Sequence, residues 1–333
     1  MQSKLTMDNN QKKRFLTYDE QIELLNKKGI SCNTEREYDY LARIGYFNLI
    51  NGYKEPFVTG RNKNGEHIYL KDVSVDNIYD LYSFDQQLSG YLFPLLKSIE
   101  HEVRALTIYQ FDKSNNNGLT HWSDVNSYDD TKDKKIIQKT INQVCINVGR
   151  SKNDYITHYR NKDEQLPTWI AFKVVNFSTL ISIIANSKSS VYKTLCSRYR
   201  IQSRKILLSF LHCIRIFRNA SAHNERFFST RLNHRIYKNE QIIQLFISNF
   251  GKSPNQKYRD FFDLLIALKY FLSKDEFDRL ASFLHRKLNV LNHLLPKPAY
   301  HYVLNKMGIR ENRIIDGMFL DNDLDILHYL NIK

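Results

Sequence analysis

Apolar residues recur at intervals of three and four positions along residues 75–111, and this pattern constrains the fold more than any other feature of the sequence. Its members are Ile78, Leu81, Tyr82, Leu88, Leu92, Leu95, Leu96, Ile99, Val103 and Leu106. Because an α-helix has about 3.6 residues per turn, this spacing gathers them on one side of a single long helix. Gly90 and Pro94 are expected to bend that helix.

Helix signals continue along most of the chain. Thr17 and Glu20 form a predicted capping box before a helix that Gly29 ends, and Thr34 and Glu37 form a second box. Further helices are predicted at residues 132–148, 155–161, 169–185, 191–200, 203–217, 256–272, 274–291, 300–307 and 321–330. The predicted fold class is therefore all-α.

Residues 51–70 interrupt the helical pattern with Gly52, Pro56, Gly60 and Gly65. Glycine and proline clusters mark turns, and the short runs at residues 53–58 and 67–70 lie between them. These two runs are predicted to pair as one small β-hairpin.

The chain is strongly basic. It has 49 lysines and arginines against 35 aspartates and glutamates, which gives a formal charge of +14. A surface with this charge attracts polyanions, and no long polybasic tail accounts for it. Nucleic acid is therefore the predicted partner, although a basic protein without such a partner would have the same composition.

The four cysteines, Cys32, Cys145, Cys196 and Cys213, are scattered and form no Cys-x-x-Cys pair. This distribution argues against a disulfide framework and a zinc ribbon, and it favours a reducing compartment. No run of about 18 uncharged apolar residues occurs, so no membrane-spanning helix is predicted. We expect a soluble cytoplasmic protein that needs no metal or other cofactor.

One segment combines residue types that can cut RNA. A predicted helix ends at Arg218 and Asn219, and His223 follows five positions after the arginine, across a helix break. A guanidinium can hold a phosphate and stabilise its extra charge, while an imidazole can move a proton. Together they can promote attack of the RNA 2′-hydroxyl on the adjacent phosphate without a metal. In this hypothesis Asn219 orients the pair.

The spacing alone carries little weight, because three other pairs of arginine and histidine have a similar one. These are Arg61 with His67, Arg279 with His285, and Arg286 with His293. Only Arg218 and His223 lie at a predicted junction between helices. In a purely structural alternative, both residues simply cap helix ends.

Two charged clusters elsewhere offer further candidates. Glu100 and Arg104 lie four positions apart on the long helix, where they can form an ordinary surface ion pair or support the arginine–histidine pair. Asp321, Asp323 and Asp325 alternate like ligands in a calcium loop, but the glycine turn and the distant glutamate of such a loop are missing. We interpret these aspartates as solvated capping charges.

A basic run after the arginine–histidine pair could line an RNA groove. Its members are Arg226, Arg231, His234, Arg235 and Lys238, interleaved with Phe227, Phe228 and Tyr237. The alternative is a solvated helix face. Trp122 and Trp169 could stack on bases, but the apolar residues after Trp169 favour a place in the core.

With these residues in hand, the chain resembles the Abi-like family of bacterial abortive-infection proteins. The landmarks are Phe15-Leu16-Thr17-Tyr18 with Gln21, Arg43-Ile44-Gly45-Tyr46-Phe47, Asn51-Gly52-Tyr53, Pro56-Phe57, Tyr82-Ser83-Phe84-Asp85 with Leu88, Ile99-Glu100-His101 with Arg104, His121-Trp122, Leu166-Pro167-Thr168-Trp169, Phe177-Ser178-Thr179-Leu180, and Arg218-Asn219 to His223. No single landmark is specific, whereas their order along residues 15–232 is. Ser178 stands where the family usually has glycine, at a packing position.

The resemblance implies a four-helix catalytic core of the HEPN superfamily. It also implies a metal-independent endoribonuclease of the Arg-x-x-x-x-His type, with a role in antiphage defence or as a toxin. Arg218 and His223 would be its catalytic pair, with Glu100 and Arg104 supporting them. The alternatives are a non-catalytic module that binds a structured small RNA and a DNA-binding regulator.

The expected organisation is a disordered tail at residues 1–16, an N-terminal helical region at 17–72, a HEPN-like catalytic helical domain at 73–240 and a C-terminal helical region at 241–333. One imidazole cannot easily be both the base for the 2′-hydroxyl and the acid for the leaving 5′-oxygen. A homodimer in which two arginine–histidine pairs face one groove would divide these roles. The predicted partners are therefore RNA, including a structured regulatory RNA, and a second copy of the chain, with no membrane.

Overall fold

The structure, a computed structural model, describes residues 15–32, 35–162, 165–232 and 259–309. This part of the chain is mostly helical and contains one two-stranded antiparallel sheet among its named elements. It confirms the predicted all-α class with a small hairpin. The predicted helix at residues 321–330, the aspartates within it and most of the predicted tail lie outside the described residues.

The helices are α1 (Tyr18–Lys27), α2 (Glu35–Ile44), α3 (Val75–Ser114), α4 (Lys134–Arg150), α5 (Asp154–Asn161), α6 (Thr168–Ala171), α7 (Phe177–Asn186), α8 (Ser189–Arg198), α9 (Arg204–Ala222), α10 (Phe261–Phe271), α11 (Lys274–Leu294) and α12 (Lys297–Lys306). The long helix predicted from the apolar repeat is α3, which continues through Pro94. Short π- and 3₁₀-helical turns lie at Phe47–Asn51, Glu55–Phe57, Asn116–Gly118 and Val125–Ser127.

The first capping box forms as predicted. The Thr17 hydroxyl accepts a hydrogen bond from the Glu20 N–H, and the Glu20 carboxylate accepts one from the Thr17 N–H at 2.9 Å. Gly29 then adopts a φ of +79°, a left-handed conformation that ends α1. Thr34, the cap predicted for α2, lies outside the described residues.

The predicted helix at residues 169–185 and the predicted hairpin are wrong in their boundaries. Residues 169–185 form two helices, α6 and α7, because the Asn176 side chain accepts a hydrogen bond from the Thr179 N–H at 2.9 Å and starts a new helix. In the hairpin, Pro56 belongs to a 3₁₀ turn rather than to a strand. The strands are β1 (Val58–Arg61) and β2 (His67–Tyr69).

The chain divides into two compact units. The first comprises Met1–Phe84 and Leu288–Tyr302 and contains α1, α2 and the hairpin. Within this unit, the Asn77 side chain donates to the Leu294 carbonyl at 3.0 Å. The second comprises Asp85–Lys287 and Val303–Lys333 and contains the predicted catalytic residues. The domain boundaries predicted from the sequence stay predictions.

Helix α9 lies at the centre of the second unit, where it packs against α7, α8 and α10. Near its C-terminus, the rings of Phe217, Phe227 and Phe261 meet edge to face, with centroid distances of 5.3, 6.1 and 6.3 Å. All three rings are buried, and such contacts add to the stability that their apolar area provides. This cluster fixes the end of the helix that carries the candidate pair. Within the described ranges, no helix has both the length and the apolar composition of a membrane span.

Candidate active site

Helix α9 does not break between the candidate arginine and histidine. It was predicted to end at Arg218 and Asn219, but it continues to Ala222, and His223 is the residue at its C-cap. The predicted helix break is therefore wrong. Arg218 and His223 belong to the end of one continuous helix.

The helix ends in a Schellman motif. Asn224 adopts a φ of +54°, and its N–H donates to the Ser221 carbonyl at 3.3 Å. The next N–H, that of Glu225, donates to the Ala220 carbonyl at 2.9 Å. Asparagine is one of the few residues other than glycine that adopt this left-handed conformation readily. The stop signal in the sequence is thus Asn224, which follows the histidine.

Glu100 of α3 lies between two arginines. One carboxylate oxygen, Oε1, accepts a hydrogen bond from Arg104 Nη2 at 2.7 Å, and the other, Oε2, forms an ion pair with Arg218 Nε at 2.9 Å. The Glu100 and Arg104 side chains are only 10% and 12% exposed. The pair between them is therefore buried and is not the ordinary surface pair that one alternative predicted. A buried carboxylate needs such compensation, because burial removes its hydration.

Arg104 fixes the position of Glu100. Its Nη1 donates to the carbonyls of Phe172 at 2.6 Å and Val175 at 2.8 Å, on the turn between α6 and α7. Burial lowers the pKa of the Arg104 guanidinium, and the Glu100 charge opposes that shift. Arginine stays charged under these conditions. Arg104 thus fixes the Glu100 carboxylate, and the carboxylate in turn positions Arg218.

Arg218 keeps part of its guanidinium available to a ligand. Its Nη1 donates to Asn219 Oδ1 at 3.2 Å, and its side chain is 28% exposed. Within the described part of the chain, its Nη2 has no hydrogen-bond partner. A guanidinium fixed at one edge and open at the other can present N–H groups to a phosphate.

The imidazole of His223 is exposed. It makes no hydrogen bond or ion pair with any residue that the structure describes. The structure therefore joins Arg218, Asn219, Glu100 and Arg104 through contacts, whereas His223 stands at the helix end without one. Such an imidazole can exchange protons with a ligand or with water.

Two contacts connect the C-terminal end of α9 to α3, through residues that the sequence analysis did not assign to the site. The buried Asp85 carboxylate accepts the backbone N–H groups of Phe227 at 2.9 Å and Phe228 at 2.6 Å. The hydroxyls of Ser89 and Ser221 lie 2.6 Å apart. Both contacts hold the end of α9 and the segment after it.

A spacing pattern could have identified these residues. Asp85, Ser89, Glu100 and Arg104 follow one another at intervals of four, eleven and four positions on α3. Because eleven residues are close to three turns, these intervals place all four side chains on one face of the helix. Polar side chains of this kind on the buried, otherwise apolar face of a helix predict a buried polar partner.

The predicted RNA groove lies only partly within the described residues. Arg226 is exposed and Arg231 is half-buried. Phe227 and Phe228 are 0% and 2% exposed, so they belong to the core and cannot stack on bases. His234, Arg235, Tyr237 and Lys238 lie outside the described residues.

The two tryptophans differ in their environments. Trp122 is buried, and its indole N–H donates to the Leu166 carbonyl at 2.7 Å. Trp169 is 56% exposed, so the expectation that it belongs to the core is wrong. Its ring lies on the first turn of α6, where only one side of so short a helix is covered.

The four cysteines are free thiols. In the described part of the chain, no group of three or more histidine, cysteine, aspartate or glutamate side chains could hold a metal ion.

Replacing Glu100 with glutamine is expected to lower the free energy of unfolding by about 2–3 kcal/mol. The change removes the negative charge that two neighbouring cations share. Glu102→Gln is the matched control, because Glu102 also pairs with an arginine from another helix, Arg198, but on the surface, at 2.8 Å with 38% and 61% exposure. It should lose far less stability. Equal losses of unfolding free energy for the two variants in denaturant titrations would show that the buried ion pair stabilises the fold no more than the surface pair does.

The family of the chain follows from a comparison with known proteins. A sequence model of the family described as Abi-like protein matches residues 39–229, which is more than half of the chain. This range contains α3, α9 and the residues Glu100, Arg104, Arg218 and His223. No curated protein and no solved structure matches the chain significantly. The chain therefore belongs to the Abi-like protein family.

Proposed function

We propose that this protein is a metal-independent endoribonuclease with a HEPN-like core, which acts in abortive infection or as a toxin. Membership of the Abi-like family supports the link to abortive infection. The observation that carries the catalytic part is the buried Glu100, which holds Arg218 on the helix end that also carries an exposed imidazole. The formal charge of +14 supports RNA as the substrate.

In the proposed reaction, the 2′-hydroxyl oxygen attacks the adjacent phosphorus, and the bond from phosphorus to the 5′-oxygen breaks. Arg218 binds the non-bridging oxygens and stabilises the charge that develops on them. His223 accepts the 2′ proton or donates a proton to the leaving oxygen. The products are a 2′,3′-cyclic phosphate and a 5′-hydroxyl. Asn219 acts as a positioning residue through its hydrogen bond with Arg218.

We further propose that the basic run after α9 binds the phosphates on either side of the cleaved bond. Arg226 and Arg231 lie in the described part of this run, and Arg235 and Lys238 follow them in the sequence. The reaction takes place on cellular RNA, so the proposed location is the cytoplasm. Free thiols agree with a reducing compartment.

A second candidate is a non-catalytic module that binds a structured small RNA. It is favoured by the position of His223, whose imidazole has no partner among the described residues to fix its tautomer. Catalytic histidines commonly have such a partner. A binding assay and a cleavage assay on the wild-type protein separate the two. Binding to RNA without cleavage would support the module, and cleavage would support the nuclease.

We propose that the active unit is a homodimer. A single exposed imidazole stands at the end of α9, whereas attack and departure in one step require a base and an acid. A two-fold axis near this helix end would bring a second His223 to the same groove, because an isologous interface places each residue on both sides.

Adding an about tenfold excess of the His223→Ala protein to wild-type protein, with subunits exchanging, is expected to reduce wild-type activity to roughly a tenth. Mixed dimers contain one imidazole and would be inactive. The measurement is the initial rate of RNA cleavage at a fixed amount of wild-type protein. A rate that does not change on addition of the variant would show that each chain cuts alone.

A further inference from the structure

A cavity of about 430 Å³ lies at the C-terminal end of α4, the start of α5 and the turn before α7. Its lining includes Gln143, Asn147, Arg150, Asn153, Tyr155 and Lys173. None of these residues belongs to the Arg218 site. Gln143, Arg150, Asn153 and Lys173 are exposed, so the cavity is open to solvent, and its volume falls within the range of sites that bind small molecules.

The cavity is cationic. Arg150 and Lys173 line it, and none of its lining residues is acidic. Neither cation forms an ion pair within the described ranges. The Lys173 ammonium lies 4.6 Å from the centroid of the Tyr155 ring, whose face attracts a cation. Two cations that form no ion pair with a described residue, at a cavity without an acidic lining residue, favour an anionic ligand.

Amide side chains line the rest of the cavity. Asn147 Oδ1 accepts from the backbone and side-chain N–H groups of Asn176 at 3.0 and 3.1 Å, which fixes one wall. The Gln143 side chain has no hydrogen bond to a described residue, and Asn153 uses only its Nδ2 group, which donates to Ser151 Oγ at 2.9 Å. Both side chains are exposed, and their amide donors and acceptors can pair with the hydrogen-bonding edge of a base.

The wall that carries Lys173 is held in place before any ligand binds. The two carbonyls that accept hydrogen bonds from Arg104, those of Phe172 and Val175, flank Lys173 and Val174 in the sequence. The ammonium of the same lysine, which is exposed, lies against the Tyr155 ring. A site with fixed walls loses less entropy when it binds a ligand.

We propose that this cavity binds a nucleotide, with Arg150 and Lys173 on the phosphate and the amides of Gln143 and Asn153 on the base. The nucleotide is either free in solution or part of an RNA strand, since both present a phosphate beside a base. The site does not depend on cleavage by His223, so failure of the proposed nuclease activity would leave it standing.

Calorimetric titration of the full chain tests this site. The probes are the four nucleoside 5′-monophosphates, inorganic phosphate, adenosine and a 2′-O-methyl RNA hexamer, which cannot be cut through its 2′-oxygen. At least one monophosphate or the hexamer should bind more tightly than phosphate or adenosine. Tighter binding of the hexamer would assign the site to RNA strands, and equal binding of a monophosphate would assign it to free nucleotides.

Variants locate the binding. Lys173→Gln and Arg150→Gln should each weaken it about tenfold, because each removes a charge-assisted hydrogen bond. Lys152→Gln is the matched control. Lys152 is exposed and lies between Ser151 and Asn153 in the sequence, but it does not line the cavity. Tyr155→Leu should weaken binding, whereas Tyr155→Phe keeps the ring and should not.

Three results would overturn the proposal. One is no binding of either the monophosphates or the hexamer. Another is equal affinity for inorganic phosphate and nucleotides, which would leave a simple anion site. The third is an equal loss of binding in Lys152→Gln and Lys173→Gln, which would show a diffuse effect of surface charge rather than a built site.

Discussion

The His223→Ala protein is expected to cleave RNA about 10²- to 10⁴-fold more slowly than the wild type. The substitution removes the proposed proton carrier. The imidazole is exposed and has no hydrogen bond within the described ranges. Its loss should therefore leave the free energy of unfolding nearly unchanged. The midpoint of thermal unfolding should therefore shift by less than about 2 °C.

His158→Ala is the matched control for this variant. His158 is also an exposed histidine on a helix of the second unit, but it lies on α5. Its loss should leave the cleavage rate unchanged. A large fall in the unfolding midpoint of His223→Ala would show that the histidine is a structural helix cap. Equal rates for His223→Ala and the wild type would remove it from the mechanism.

Arg218→Lys is expected to lower the cleavage rate by about 10²- to 10³-fold, although the positive charge is kept. The arginine contacts Glu100 through Nε and Asn219 through Nη1, which leaves another N–H edge for the phosphate. Lysine has three N–H groups on one nitrogen, so it cannot reproduce the fork in which one edge of the guanidinium contacts Glu100 while another faces the phosphate. Because the charge beside Glu100 is retained, most of the stability should be retained as well.

Arg198→Lys is the control for Arg218→Lys. Arg198 also pairs with a glutamate of α3, Glu102, at 2.8 Å, but that pair is on the surface. The rate should stay at the wild-type value in this variant. Cleavage by Arg218→Lys at the wild-type rate would show that only charge matters and would contradict a role for the guanidinium fork.

Much of the fold could be predicted because it depends on local signals. The apolar repeat of α3 and the capping box of Thr17 and Glu20 each depend on residues within a few turns of one another. The predicted boundaries of α6 and α7 were wrong, although the signal that separates these helices is also local. An apolar run hides a break that one asparagine side chain, that of Asn176, makes through a hydrogen bond.

The candidate site depended on contacts between distant parts of the chain. Periodicity places Glu100 and Arg104 on one face of α3, but it does not show that Arg218 of α9 covers that face and buries them. The role of Asp85 could likewise not be predicted, because the backbone N–H groups that it binds, those of Phe227 and Phe228, lie far along the chain. Periodicity predicts which side chains share a face of a helix, but it does not predict which other element packs against that face.

The ends of the RNA products test the central claim most directly. A labelled RNA is incubated with the full-length protein in the presence of EDTA, and the chemical groups at the new ends are determined. The proposed attack by the 2′-hydroxyl, with His223 and Arg218 as the acting groups, predicts 2′,3′-cyclic phosphate and 5′-hydroxyl ends that form despite the chelator. Products with 3′-hydroxyl and 5′-phosphate ends, or cleavage that EDTA abolishes, would contradict it.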